Sequence, residues 1–325
     1  MTLKELLKAP YYMKNAVQEI GPPFRLRTWF HAARMRTLPL AFAVIALGSG
    51  LAYYHDKSSF KWSIFLLAVL TSFCYQVLSN YANDLGDGIK GTDADKQGEQ
   101  RAVASGVISE KQMRNAVQFF TLLALSSGAF LSYLAFENVR LNVLFQSLNI
   151  LAVWSARSYT LGKNPYAYWG GGDIFVFIFF GYVGVLGSVA IHTNAFYILD
   201  LLPASVAGAM SAAVLTLNNL RDIEGDKLHG KITLVVRFGY LWGRGYFKVL
   251  LMLSMMLNLI FAIIATIESL HYYPLVAHIL FQLLLRFIYK KFIAADSSKK
   301  LDALLKPTAL VTLLYCVFTA LSMVL

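Results

Sequence analysis

The sequence predicts an all-α membrane protein with nine transmembrane helices around a central cavity. Three observations predict it. Only 14% of the 325 residues are charged and 57% are hydrophobic, whereas a typical soluble domain has about 25% charged residues. Apolar runs long enough to cross a bilayer recur along nearly the whole chain, and the mean hydropathy is +0.55. Lys and Arg gather in alternate loops.

Taken in order, residues 1–32 read as a cytoplasmic or interfacial segment, and 33–325 as the transmembrane domain. Leu3, Leu6 and Leu7 share one helical face, which suits a short interfacial helix. Pro10 and the Gly21-Pro22-Pro23 break limit it. No apolar run precedes Leu38, so the segment does not read as a cleavable signal. The first pair of spans is read at 35–54 and 62–83, and the second at 115–136 and 140–156. The third pair follows at 172–192 and 198–218, the fourth at 247–267 and 271–289, and a ninth span at 308–325. With nine spans, the N-terminal segment and loops 2–3, 4–5, 6–7 and 8–9 lie on one side. They carry every Lys and Arg except Lys57, Lys61 and Arg140. The positive-inside rule makes that side the cytoplasm. An eight- or ten-span reading spoils the asymmetry.

Charge and motif content exclude several functions. The formal net charge of +11 reads as topogenic charge with attraction to anionic membrane lipid. No basic soluble domain or aromatic-interleaved groove supports nucleic-acid binding. Cys74 and Cys316 each lie inside an apolar run, with no partner at metal-ligand spacing. There is no phosphate-binding loop, and Gly170-Gly171-Gly172 lead into a span with no preceding strand.

Two acidic clusters carry the chemistry. Asn83-Asp84-Leu85-Gly86-Asp87 ends span 2, and Asn219-Leu220-Arg221-Asp222-Ile223-Glu224-Gly225-Asp226 ends span 6. Four spans separate them, so both face the cytoplasm. This suggests two parallel four-helix halves plus a ninth helix, with the clusters meeting across the cavity. Asn83 and Asp87 are four apart, as are Asp222 and Asp226, so each cluster presents oxygens on one helical face. An Asp at a membrane helix end is costly without a cation to face. Mg²⁺ commonly bridges one or two carboxylates to substrate phosphates. Lys90, Arg101, Arg221, Lys231 and Arg237 are nearby cations for the remaining charge. Acid and base on the same loops suit a metal–diphosphate better than a cation pore. An ion-coupled transporter remains an alternative, but its site would sit nearer the bilayer midplane.

At these residues the chain resembles the UbiA superfamily of intramembrane prenyltransferases. Ala33-Arg34-Met35-Arg36-Thr37-Leu38-Pro39-Leu40 resembles the family's opening. Asn83 to Asp93, then Arg101-Ala102-Val103 and Ser105-Gly106, resembles its first acidic motif and trailing loop. Asn218 to Asp226 and Lys231 to Gly239 resemble the second. The stretch Tyr159-Thr160-Leu161-Gly162-Lys163-Asn164-Pro165-Tyr166-Ala167-Tyr168 to Asp173 resembles the branch that prenylates 1,4-dihydroxy-2-naphthoate. Departures are Gly91, where many members have a third Asp, Gln97-Gly98-Glu99-Gln100, and Ala167 where Gly is common.

The resemblance implies an enzyme of menaquinone biosynthesis in the bacterial cytoplasmic membrane, with its active site facing the cytoplasm. Its substrates would be a polyprenyl diphosphate and 1,4-dihydroxy-2-naphthoate, joined with loss of CO₂ to give demethylmenaquinol. Hydroxybenzoate or homogentisate are alternative acceptors. The implied catalytic set is Asp84, Asp87, Asp222, Asp226 and Asp173. Mg²⁺ would be held by Asn83, Asp84, Asp87, Asn219, Asp222 and Asp226. Lys90, Arg101, Arg221, Lys231 and Arg237 would bind the diphosphate. Tyr159, Thr160, Lys163, Tyr168 and Asp173 would meet the aromatic substrate, although interfacial anchoring fits the tyrosines equally. Phe175, Phe177, Phe179 and Phe180 are candidates to line a tunnel for the prenyl tail, although with 23 Phe in the chain lipid-facing packing is the more usual place for any one of them.

Overall fold

The computed structural model describes residues 26–35, 37–91 and 101–325. The interfacial helix expected near Leu3–Leu7, together with Arg36, Asp93 and the 97–100 loop, lies outside the described residues. Among those described, the secondary structure is helical, with no strand.

A short helix α1 (Leu26–Ala32) precedes α2 (Leu38–His55), whose second residue is Pro39. Proline is tolerated there because the first-turn N–H groups have no intrahelical acceptor. Between them, Arg34 takes a left-handed backbone with φ 53°, uncommon for a residue with a Cβ. Two bonds hold this corner. Asn80 Nδ2 donates to the Ala33 carbonyl at 2.7 Å, and Thr37 Oγ1 donates to the Arg34 carbonyl at 3.0 Å.

α3 (Trp62–Lys90) runs seven residues beyond the end read from sequence, and stops at Gly91 with φ 74°. A left-handed glycine is the common way to end a helix. α4 (Glu110–Ala135) starts at a reciprocal Ser109–Gln112 cap, and α5 (Val139–Ser158) at Asn138. Both signals satisfy orphan N–H groups.

α6 (Gly172–Thr193) contains a π-helical middle, Phe177–Leu186. It crosses α7 (Leu201–Arg221) through Gly181 and Gly208. A Cβ on Gly208 would stand 2.7 Å from the Phe177 carbonyl oxygen, and one on Gly181 2.7 Å from that of Ala204. Small residues at such crossings let membrane helices approach closely. α7 breaks at Asp222 (φ −98°, ψ 8°), and α8 (Ile223–Leu228) and α9 (Leu234–Phe238) follow. The long helices α10 (Tyr240–Ser269), α11 (Tyr273–Ile293) and α12 (Ser298–Val324) complete the chain.

The packing closes on itself. α3 lies against α2, α4 and α5, while α7 lies against α6, α10 and α12. The last helix, α12, packs extensively along α2. One large core joins α2, α6, α7 and α10–α12, and a smaller one joins α1 with the ends of α3–α5.

Seven of these helices are long and apolar enough to cross a membrane: α2, α3, α4, α6, α7 with its preceding turn, α10 and α12. The chain is thus an integral membrane protein. The spans read at 140–156 and 271–289 are present as helices α5 and α11. Residues such as Arg140, Asn142, Gln146 and Asn149 in α5, and Gln282, Arg286, Lys290 and Lys291 in α11, make them more polar.

The crossing yields a test. Gly208→Val places atoms against backbone that cannot move without shifting α6, and overpacking of this kind costs about 1–3 kcal/mol. The expected result is a lower thermal midpoint in detergent, whereas Gly245→Val, with nothing within 4 Å of an added Cβ, leaves the midpoint closer to that of the parent.

Candidate active site

Because α3 stays helical past residue 83, Asn83, Asp84 and Asp87 emerge on adjoining turns, all buried. In the amide orientation that satisfies both ends, Asn83 donates to Asp87 Oδ2 at 3.0 Å. Its oxygen accepts from both terminal nitrogens of Arg34, at 2.6 and 2.8 Å. The Ala102 N–H donates to Asp84 Oδ2 at 3.1 Å, so the backbone at residue 102 lies against the cluster.

The second cluster folds around a joint. The Asp226 N–H donates to the Asp222 carbonyl at 2.8 Å, so one helical turn survives the break. The Arg221 guanidinium holds Asp222 in two-point fashion, Nε to Oδ1 and Nη2 to Oδ2, both at 2.6 Å. Its Nη1 donates to Asp302 of α12 at 2.6 Å, and Nη2 also to Asn218 at 2.7 Å.

Lys231 connects the two clusters. Its ammonium donates to Asp87 Oδ2 at 2.9 Å, while its backbone N–H donates to the Asp226 carbonyl at 2.8 Å. Burial opposes the ammonium, but the Asp87 and Asp226 carboxylates outweigh it and raise its pKa above the usual lysine value. The expected meeting of the clusters across the bundle is thus observed, through a lysine.

The loop between α5 and α6 supplies the aromatic wall. Tyr168 donates its hydroxyl to Asp87 Oδ1 at 3.2 Å. The Lys90 ammonium sits 4.0 Å from the Tyr168 ring centre and donates to the Thr160 carbonyl at 3.0 Å. Thr160 is fully buried and its hydroxyl donates to the Ala82 carbonyl at 3.0 Å. Burial pushes the Tyr159 phenol up to about 12, which keeps it a neutral donor. Asp173 is buried at the start of α6, accepts a long 3.5 Å bond from Thr216, and lines neither cavity.

A cavity beneath these groups is lined by Arg34, Asn83, Arg101, Tyr159, Asn218 and Lys231, among others. A second, mainly apolar cavity follows, walled by Phe145, Phe175, Phe179, Phe180 and Val183, among others. The two share Gln76, Ser79, Tyr166, Val176 and Phe180, so they adjoin. Phe175, Phe179 and Phe180 take the expected place. Phe177 does not line either cavity; its carbonyl faces Gly208 and its ring packs on Tyr182.

Other expectations need revision. Lys163 is exposed in its loop and is not brought to the cavity. Arg237 is exposed too, and Nη2 donates to the Trp169 carbonyl at 3.0 Å. Arg221 lines the cavity but is held by Asp222, Asp302 and Asn218. Asn218, rather than Asn219, lines the cavity. Arg34, Asn218 and Asp302 were not singled out as site residues from the sequence. Arg34 and Asn218 stood inside segments that carried the family resemblance; no sequence signal marked Asp302.

The donor set is all oxygen, which suits a hard cation such as Mg²⁺. Among the described residues, however, no three of His, Cys, Asp or Glu are grouped to hold one ion. The expected six-residue metal set therefore does not form a closed protein cage. The aspartates fit Mg²⁺ as partial shells to which oxygens from outside the chain must be added.

An acidic and basic head beside an apolar cavity, within a helical bundle, defines a membrane-embedded site with one charged and one apolar end. Comparison with known proteins sharpens this. Residues 40–321 match the family model described as the UbiA prenyltransferase family. The chain is 41% identical over 249 residues to 1,4-dihydroxy-2-naphthoate octaprenyltransferase of Haemophilus influenzae, covering 76% of this chain and 81% of that one. The Escherichia coli protein of the same name is 40% identical over 232 residues, covering 71% and 75%. A UbiA homologue from Archaeoglobus fulgidus superposes with TM-score 0.63 at 17% identity, covering 92% of this chain and 100% of that one. The same organism's homologue bound to DMAPP and Mg²⁺ gives 0.59 at 15% identity, covering 89% and 98%. These structures share the fold. The chain belongs to the UbiA prenyltransferase family, and it is a prenyltransferase.

One test probes the contact between α3 and the aromatic loop. A Cβ on Gly86 would meet Thr160 Oγ1 at 2.6 Å and its carbonyl carbon at 2.8 Å. Gly86→Ala should displace the loop that delivers Tyr159 and Tyr168. Misplacement by about 1 Å can cost on the order of a hundredfold in rate. The expected outcome is a turnover loss of that order in protein that still elutes as a folded species.

Proposed function

We propose that this protein transfers a polyprenyl group from polyprenyl diphosphate to 1,4-dihydroxy-2-naphthoate, in a Mg²⁺-dependent reaction. The observation that carries the reading is the Lys231–Asp87 bridge between two acidic clusters, set beside a polar cavity that adjoins an apolar one. The acceptor follows from the names of the relatives and from the Tyr159–Asp173 stretch. In balance, the allylic C–O bond breaks and diphosphate leaves. A C–C bond forms at the ring carbon bearing the carboxylate, and that carboxylate departs as CO₂. The product is demethylmenaquinol.

Asp84, Asp87, Asp222 and Asp226, assisted by Asn83, would hold Mg²⁺ together with diphosphate oxygens. When bound, the ion neutralises diphosphate charge and eases its departure. Arg34, Arg101 and Lys231 line the head of the cavity and take up remaining charge on the leaving group. Arg221 orients Asp222. Tyr159, Tyr166 and Phe180 place aromatic faces along the path from head to tail, where they favour a developing allylic cation and keep water from it. Asp173 lines neither cavity; buried at the start of α6, it would act on the substrate only through neighbouring groups. The tail is held by apolar burial, about 0.8 kcal/mol per CH₂.

In this reading α5 and α11 also cross the bilayer, giving nine spans. The N-terminus and the acidic clusters face the cytoplasm of a bacterial inner membrane, a reading the Lys and Arg distribution supports.

Turnover in detergent tests the proposal. Protein incubated with 1,4-dihydroxy-2-naphthoate and a polyprenyl diphosphate should give, by mass spectrometry, an adduct lighter by CO₂, with Mg²⁺ and not with EDTA. Product from hydroxybenzoate or homogentisate instead would keep the chemistry and change the acceptor. Separately, Asp87→Ala and Asp222→Ala should each abolish turnover without unfolding the protein. Activity within about twofold of the parent would remove the metal–diphosphate role.

A further inference from the structure

Asp302 lies near the start of the last helix, outside both acidic motifs, 81 residues from Arg221. The Arg221 side chain is 5% exposed, that of Asp222 2% and that of Asp302 27%. The guanidinium therefore spans from the buried cluster to the rim, with Asp222 on one edge and Asp302 on the other.

This arrangement poses a problem of charge. A buried guanidinium gripping a carboxylate at both oxygens is a strong, geometrically matched pair. Left alone, such a pair is neutral and competes directly with any cation for Asp222. Asp302 changes the balance. Arg221, Asp222 and Asp302 together carry one net negative charge. Nη1 is drawn to Asp302 at 2.6 Å, and Nη2 is shared with the Asn218 oxygen at 2.7 Å. Three of the guanidinium's contacts thus remain when Asp222 has to turn one oxygen away, because Asp302 and Asn218 retain the arginine without it.

We propose that Asp302 is a positioning residue that keeps Asp222 available to a divalent cation by holding Arg221 from the far side. The inference rests on the metal–diphosphate reading of the site. It gives α12 a part in the chemistry that neither motif contains. Groups one layer behind metal ligands commonly alter metal affinity by about 10–100-fold.

The test separates this role from a structural one. Binding of inorganic pyrophosphate with Mg²⁺ to purified protein is measured by titration calorimetry, which is independent of the aromatic acceptor. Prenyl transfer is measured alongside as a function of Mg²⁺. For Asp302→Asn, the expected result is about a tenfold rise in the Mg²⁺ concentration for half-maximal pyrophosphate binding and turnover. The maximal rate at saturating Mg²⁺ should change much less. Asp302→Glu, which keeps the charge, should restore the parent's Mg²⁺ dependence. An unchanged Mg²⁺ dependence in Asp302→Asn overturns the proposal, as does a loss confined to the maximal rate. If Asp302→Asn fails to fold, Asp302→Ser carries the same test, and failure of both variants to fold assigns Asp302 a purely structural role and overturns it. Mg²⁺–pyrophosphate binding by the parent without any prenyl transfer would remove the acceptor reading and leave this one standing. No Mg²⁺-dependent pyrophosphate binding in the parent would remove both.

Discussion

The buried Lys231–Asp87 ion pair is the constraint on which the rest of the site depends. Each partner is nearly inaccessible to solvent. Removing one partner of such a pair leaves an uncompensated charge and costs about 3–5 kcal/mol. The pair therefore fixes the segment after α8 against the end of α3, although Asp87 and Lys231 lie 144 residues apart. Tyr168 and Lys90 then have a defined place, because both address the same corner. The loop between α5 and α6 is in turn held to α3 by Thr160 and by the missing side chain at Gly86. Ionic, aromatic and steric contacts all converge on one turn of one helix.

Much of this was legible in the sequence. Asn83, Asp84 and Asp87 could be placed on one face because α3 needed only to stay helical, and Gly91 rather than Gly86 or Gly88 ends it. The second cluster was legible as a group of residues but not as a shape, since Asp222 sits at a break that no spacing rule marks. Arg34 was hidden for a different reason. Its reach to Asn83 depends on a left-handed backbone at that residue, and the bonds that support the corner come from Asn80 on α3 and from Thr37 just before α2. Lys163 and Arg237 looked equivalent to Lys231 as charges near motifs. Only the path of the chain distinguishes a cation buried between clusters from one facing outward. Asp302 was beyond reach, because its partner lies on another helix far away in sequence.

The π-helical middle of α6 and the glycine crossing with α7 explain why the tunnel has aromatic walls on one side and packing on the other. Gly181 and Gly208 bring the two backbones together, so α6 turns its bulkier residues elsewhere. Phe175, Phe179 and Phe180 enter the cavity, while Phe177 is kept on the packed side. Periodicity alone does not separate these four phenylalanines, since a π-helical stretch shifts the register that an α-helix would keep.

One face of α3 carries Ala68, Thr71, Ser72, Tyr75, Gln76, Ser79, Asn80, Asn83 and Asp87 in succession. It descends from the charged head to the apolar tail over about 28 Å of helix axis. A single helix is therefore a ruler graded in polarity, and an amphiphile laid along it has only one favourable direction. In the proposed reaction the reacting end would lie against the carboxylates at the top. Under that reading, substitutions near Ala68 or Thr71, which line the apolar cavity, would alter how much tail is accommodated without touching the bond that breaks. On the proposed function, selectivity for length and competence in chemistry would then fall on opposite ends of the same helix, each able to change while the other is held.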